Sequence, residues 1–328
     1  MDFRPIPRDL EAFQQPVTAE DIEAISLRAF GRSVRVTSAV ELGGGMYNST
    51  YRLTAEGLDR LVILRIAPAP ERQFASEREL MRNEYATVPF LAPIADLIPR
   101  VLAADWSREV AGRDWMVQSH LDGAPAPDRL GDYPRDLWPG FFAQLGTIAK
   151  DVHAVRGPHF GAVAGPGHAT WSEAVLASLH AIADDVVGVG LDAADVRKVA
   201  DLAAEHRALL DEITESRLLT GDLWTVNTML AAAPTPVISG VLDLDRTLFG
   251  DPAADWTIRM ASAKKDERTA FWETYGSRGP SSPAASWRAL VYEARHLGAI
   301  RLERHRLHNS DGVRDTYQSM ADVLAKLT

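Results

Sequence analysis

A single break in hydrophobic periodicity constrains this chain more than any other feature. Between Val34 and Ser119 the apolar residues come in short runs separated by turn signals. Beyond Asp122-Gly123-Ala124-Pro125-Ala126-Pro127 they recur at helical spacing nearly to the end. That pattern predicts an α+β chain with a small β-rich lobe over residues 1–120 and a larger, mainly helical lobe over 121–328. In the first lobe, a Pro-rich irregular start leads to Thr18. This residue can cap a helix with Asp21 returning the bond; Ile22, Ile25, Leu27 and Phe30 form the apolar side, and Gly31 stops it. Strand-like runs follow at Val34–Leu42, Tyr47–Leu53 and Leu61–Ile66. A long helix is expected over Glu71–Phe90, and strands at Val101–Ala104 and Trp115–Ser119 complete a five-stranded antiparallel sheet. In the second lobe the spacing predicts helices at Leu137–Val155, Trp171–Val187 and Ala193–Ile213. Short strands at Thr228–Ala231 and Val237–Leu242 precede a helical tail from about Ala253 to Lys326.

Composition removes several function classes. A chain of 328 residues, 46% apolar and 24% charged, can bury a large core and is not a disordered segment. It has no cysteine, which excludes disulfides, thiolate catalysis and cysteine metal sites. The stretch Met1–Ala19 lacks the basic and apolar regions of a signal peptide, and no apolar run is long enough to span a bilayer. A net charge of −10 argues against a nucleic-acid partner. These readings predict a cytoplasmic protein without nucleic-acid or membrane partners. Gly-x-Ser-x-Gly does not occur, which disfavours a serine hydrolase. The charged runs Lys264–Arg268 and Leu302–Arg306 read as solvated helix faces.

The stretch that carries chemistry is Leu219-Thr220-Gly221-Asp222-Leu223-Trp224-Thr225-Val226-Asn227. It is followed by Gly240-Val241-Leu242-Asp243-Leu244-Asp245 and by Gly250-Asp251-Pro252-Ala253-Ala254-Asp255-Trp256. Singly, these are common turn and helix-start residues. In this order, bracketing an apolar strand, they bring three oxygen-bearing side chains towards one cleft. Magnesium takes a few hard oxygen ligands from protein and the rest from phosphate and water, and Asn227 and Asp243 can supply them. Phosphoryl transfer then needs one carboxylate to orient the acceptor hydroxyl and take its proton, a role that suits Asp222.

These residues resemble the aminoglycoside phosphotransferase family, the small-molecule branch of the protein-kinase-like fold. The family's His-Gly-Asp-x4-Asn loop is matched by Gly221, Asp222 and Asn227, its Ile-Asp strand end by Leu242-Asp243, and its Gly-Asp-Pro by Gly250-Asp251-Pro252. Gly221-Asp222-Leu223-Trp224 is most similar to the fructosamine-kinase variant, which adds Trp224 to the candidate site. The resemblance implies a bilobal kinase-like fold with ATP, or GTP, and Mg2+ in the cleft. It also implies a nucleotide site formed by the glycine turn Gly43, Gly44 and Gly45 with Asn48 and Ser49, by a strand cation at Arg65 where the better-known pattern has lysine, and by its helix partner Glu84, with Glu77 the second choice. The hinge falls at Gln118, Ser119 and His120, and His153 sits where relatives keep a buried histidine behind the catalytic loop. Two positions depart from common patterns. Thr220 replaces the usual histidine and predicts a less rigid loop, and Asp245 is either a second metal or water ligand or a cap of the following turn. Nothing resembles the activation segment of a protein kinase. The implied activity is phosphorylation of a hydroxyl on a small molecule, foremost an antibiotic. The alternatives are a metabolic kinase of a sugar, glycated amine or amino alcohol, and a catalytically impaired nucleotide-binding scaffold. Asp184, Asp185, Asp192, Asp195, Asp211, Glu212 and Glu215 would suit a cationic acceptor and read equally well as exposed helix faces.

Overall fold

Strand-forming sequence in the first 120 residues gathers into one sheet of six strands, not five. A computed structural model describes residues 1–9, 12–257, 265–276 and 282–328 of the chain. The strands are β1 (Asp2–Arg4), β2 (Arg35–Leu42), β3 (Ser49–Glu56), β4 (Val62–Ile66), β5 (Val101–Asp105) and β6 (Trp115–Ser119). They lie in the order β1-β2-β3-β4-β6-β5, antiparallel except for β1, which runs parallel to β2. The added strand falls in the start expected to be irregular, because three residues are too few to display a period of two. Glu41 holds that segment down: its carboxylate accepts the Ile6 N–H at 2.7 Å, a bond from Arg8 and one from the Tyr51 hydroxyl.

Helix α1 (Ala19–Phe30) begins with the reciprocal Thr18–Asp21 capping box and ends at Gly31, whose φ of 76° suits glycine. Ile22 and Ile25 face the sheet, whereas Leu27 is exposed and Ser26 buried in its place. The long helix expected over 71–90 is instead α2 (Leu80–Thr87), preceded by 3-10 turns at Pro70–Arg72 and Ala75–Glu77 and continued by a 3-10 stretch at Val88–Leu97. Proline explains the breakage at the C-terminal side, since Pro89 and Pro93 lack the N–H that an α-helical ladder needs. On the N-terminal side Glu79 is left-handed at φ 60°.

After the sheet come β7 (Ala124–Pro125), α3 (Ala126–Arg129), α4 (Trp138–His153), β8 (Gly161–Ala162), α5 (Trp171–Gly188), α6 (Ala194–Glu205) and α7 (Arg207–Leu210). Then follow β9 (Arg217–Leu218), β10 (Thr228–Leu230), β11 (Ile238–Val241), β12 (Leu248–Gly250), α8 (Lys265–Tyr275), α9 (Pro283–Arg306) and α10 (Ser310–Leu327). The expected helix over 193–213 is split into α6 and α7 where His206 leaves helical geometry. Two three-stranded ribbons, β11-β10-β7 and β8-β12-β9, carry the loops of interest.

One apolar core lies beneath the first sheet around Ile22, Tyr51, Leu64 and Trp115, a second around Phe141, Leu145, Leu218 and Phe249, and a third among α5, α6, α9 and α10. Leu91 and Ile94 pack into the second core, so the 88–97 stretch ties the sheet-bearing part of the chain to the helical part. The Leu302–Arg306 run is not a solvated face: Leu302 is buried, and the Arg306 side chain is only 7% exposed. The run Lys264–Arg268 lies outside the described residues, position 264 entirely and 265–268 in their side chains. Among the described residues no helix is long and apolar enough to cross a membrane.

Candidate active site

The loop that carries Asp222 leaves β9 and turns at Gly221. This residue has φ 77°, and a Cβ there would stand 2.4 Å from the Arg246 carbonyl, so both backbone conformation and close approach demand glycine. The loop is braced from below by Asp255. Its carboxylate accepts from the Thr220 N–H at 2.6 Å, the Thr220 hydroxyl at 2.7 Å and the Gly221 N–H at 3.1 Å, and lies 2.9 Å from His153 Nε2. The Nδ1 of His153 is 2.9 Å from the Tyr275 hydroxyl. Burial opposes the Asp255 charge, but the hydrogen bonds from His153 and Thr220 outweigh it and hold the carboxyl below its ordinary range. Threonine at 220 still braces the loop, since its short hydroxyl reaches Asp255 and His153 stands behind.

The Nδ2 of Asn227 donates to both the backbone oxygen and Oδ2 of Asp222, each at 2.9 Å. The side-chain oxygen of Asn227 receives no hydrogen bond among the described residues. Burial pushes the Asp222 carboxyl up to about 6, against the pull of Arg246 and of the Asn227 bond. A carboxylate raised that far is a better proton acceptor than an ordinary aspartate and still ionised at neutral pH. The Leu242 N–H donates to the Asn227 backbone oxygen at 2.8 Å, which sets the end of β11 beside the catalytic loop. Asp243 follows in the left-handed region at φ 54°, ψ 52°, and its side chain is 48% exposed. A non-glycine residue pays on the order of 1–3 kcal/mol for such a conformation, and its side chain is thereby turned out into the cleft.

Arg65 joins the two halves of the site. It donates to both oxygens of Glu84, at 2.7 Å to Oε1, and to Asp243 Oδ1 at 3.0 Å, and stands 4.0 Å from Asp245. The other candidate, Glu77, does not pair with Arg65; it takes Arg246 at 2.7 Å and Arg306. Gln118 donates to Glu84 at 3.2 Å, and a small cavity between the two parts of the chain is lined by Glu84, Val88, Leu91, Gln118, Asp243 and Leu244. Ser119 is engaged with Arg100 through its hydroxyl and its N–H, and His120 lies 3.9 Å from Asp122. In the glycine turn Gly44 has φ 95°, and the Gln14 amide grips the carbonyls of Gly45 at 3.0 Å and Asn48 at 2.8 Å. Asn48 and Ser49 are buried at the start of β3, while Trp224 is half-buried beside the second core. Asp245 is buried; burial and the neighbouring Asp243 push its carboxyl well above the usual carboxylate range, and its backbone oxygen accepts from Asn83 at 2.9 Å.

Sequence reasoning missed Arg246, whose charge reaches Asp222, and Asn83, which bonds Asp245 and Thr247 and so moors α2 to the segment after Asp243. It quoted Asp255 without giving it a role; the signal was an Asp-Trp pair three residues after Asp-Pro, on a 3-10 turn aimed back at the loop. The acidic residues proposed for a cationic acceptor are mostly engaged elsewhere. Asp185 takes the Ala75 and Ser76 N–H groups, Asp192 the Ala194 N–H and Asp211 Ser172, and Asp195, Glu212 and Glu215 pair with arginines.

A six-stranded sheet with helices α1 and α2, a helical body and an Asp-Asn-Asp cleft between them define a bilobal, kinase-like α+β fold. The model of the phosphotransferase enzyme family matches residues 38–289, and the chain belongs to that family. No curated protein sequence matches the chain. Among solved structures, a thermostable mutant of aminoglycoside phosphotransferase APH(4)-Ia in ternary complex with AMP-PNP and hygromycin B is similar over 93% of this chain and 98% of its own, at 18% identity and a TM-score of 0.64. The GDP complex of wild-type aminoglycoside 2'-phosphotransferase-IIIa is similar over 95% of this chain and 100% of its own, at 15% identity and a TM-score of 0.60. At these identities the likeness shows the fold.

Proposed function

We propose that this protein transfers the terminal phosphoryl group of ATP, or GTP, to a hydroxyl of a small molecule, foremost an antibiotic, with residues 1–120 holding the nucleotide and 121–328 the acceptor. The observation that carries this reading is the joining of Asp222, Asn227, Asp243 and the Arg65–Glu84 pair in one cleft. Solved relatives in complex with AMP-PNP and hygromycin B or with GDP support the nucleotide and the substrate class.

The residues suit a magnesium ion: the free side-chain oxygen of Asn227 and the outward carboxylate of Asp243 are hard oxygen donors on adjoining loops. When bound, the ion neutralises phosphate charge and polarises the transferring group. Asp222 orients the acceptor hydroxyl and takes its proton. Asn227 fixes the Asp222 carboxylate through Nδ2, and Arg65, steadied by Glu84, presents a permanent cation to the phosphates. Mass spectrometry of a reaction with ATP, magnesium and pooled aminoglycosides, peptide and nucleoside antibiotics, macrolides, glycated amines and choline is expected to show one acceptor gaining a single phosphate. Nucleotide binding with no phosphorylated acceptor would favour the scaffold alternative. Asp243→Ala is expected to weaken magnesium-nucleotide binding at least tenfold by calorimetry; an unchanged magnesium dependence would remove Asp243 from the metal site.

A further inference from the structure

Helix α9 runs beside the catalytic loop, and the charge it brings there is not balanced. Glu303 lies close enough for its charge to reach Asp222, and Arg306, one turn on, pairs with Glu77. About two turns earlier, roughly 12 Å along the helix, stands Arg295. Its Nε donates to the Ser178 hydroxyl at 2.6 Å. The two terminal nitrogens, the fork that grips a carboxylate or phosphate bidentately, have no partner among the described residues and are not sealed from solvent. Among the described residues no carboxylate stands within ion-pairing distance of Arg295, although most other buried arginines around it have one: Arg246 has Glu77, Arg288 has Glu212 and Arg301 has Asp195. Arg304 is the other exception, and its bond goes to the Gly312 carbonyl.

We infer that the acceptor carries an anionic group, a carboxylate or a phosphate, and that Arg295 binds it at the α9 wall of the acceptor site, with Arg246 and Arg304 alongside. The inference rests on the phosphotransferase reading above and narrows its substrate class. A partly desolvated cation without a counter-charge is less stable than a paired one, and a bound anion offsets that cost. The local field agrees. Burial and the charge of Arg246 push Arg295 down to about 10, so it remains cationic at neutral pH. Burial and three arginines, 295, 246 and 304, push His296 down to about 4, so the imidazole is neutral and adds no charge of its own. Of the described carboxylates in charge reach of Arg246, Asp222 is committed to the hydroxyl, Glu77 is already shared by two arginines and Asp245 is buried 4.0 Å from Arg65; Glu303 stands at the far end of the α9 face.

Two arms test the inference. In the first, inorganic sulfate is titrated into the protein saturated with ADP and magnesium, so that the nucleotide cleft is filled, and the thermal midpoint is followed. The wild type is expected to gain stability with sulfate, and Arg295→Gln to lose at least half of that gain, while the stabilisation by ADP itself stays equal in both. Arg295→Lys keeps the charge without the fork and is expected to fall between them. An equal sulfate response in wild type and Arg295→Gln overturns the site. In the second arm, hydroxyl compounds are offered as free carboxylates and as the matching amides. The carboxylates are expected to be phosphorylated at least tenfold better in kcat/KM, a preference that Arg295→Gln abolishes through KM. Wild-type enzyme that prefers the amides, or cationic aminoglycosides, overturns the inference. The sulfate arm needs no phosphoryl transfer, so its result stands even if the phosphotransferase reading fails.

Discussion

Replacing Asp222 by Asn is expected to lower turnover by about 10³-fold or more while leaving nucleotide affinity near that of the wild type. The amide is the same size and can still accept the Asn227 bond, so the loop keeps its shape; what disappears is the ability to take a proton. Single-turnover transfer to any acceptor identified by mass spectrometry, measured beside calorimetric ADP binding, separates the two effects. A substantially active Asp222→Asn protein would show that the base lies elsewhere. The wild type should also show the titration of this group. With the carboxyl raised to about 6 by burial, kcat/KM is expected to be level above that pH and to fall about tenfold per unit below it, because the protonated acid cannot accept.

Replacing Asp255 by Ala is expected to cost stability as well as activity. Its buried carboxylate satisfies two backbone N–H groups and the hydroxyl of the Thr220-Gly221 turn and accepts from His153; removing it strands all four donors in a region closed to water. Breaking a buried charged network of this kind costs about 3–5 kcal/mol, readable as a lower urea midpoint with an unchanged slope. Asp255→Asn, which retains one acceptor oxygen, is expected to lose less. An Asp255→Ala protein as stable as the wild type would mean that the turn is held by its own packing and that the carboxylate is incidental.

How much of this was legible in the sequence depends on how local each feature is. Trp115–Ser119 could be read residue for residue, since a short consecutive apolar run, Trp115-Met116-Val117, closed by the turn signals that follow permits little else. The pairing of Asp222 with Asn227 was legible for the same reason, both lying on one short loop. The helix over 71–90 failed locally: Pro89 and Pro93 stood in the sequence, but the charged run before them, Glu71 to Glu84, reads as the outer face of one continuous helix. Other features failed because the information is distant. Nothing near Glu77 says that Arg246 and Arg306 will claim it, and nothing near Asp185 says that it will accept the N–H groups of residues 75 and 76. A carboxylate without a visible partner in sequence reads as solvent-facing, and most of those expected to greet a cationic substrate were spent on the fold.

The cluster around Glu77 has a consequence for the order in which the protein matures. Tyr47, in the glycine turn, donates to the Glu77 backbone oxygen, and Arg306 lies over the rings of Phe13, Tyr47 and Phe74 while pairing with the Glu77 carboxylate. That ion pair closes across 229 positions of chain. Contacts of such separation are slow to form, because a long stretch must be ordered before they repay its lost freedom. The first sheet can assemble from contacts closer in sequence, but its glycine turn acquires its final support only when α9 has docked.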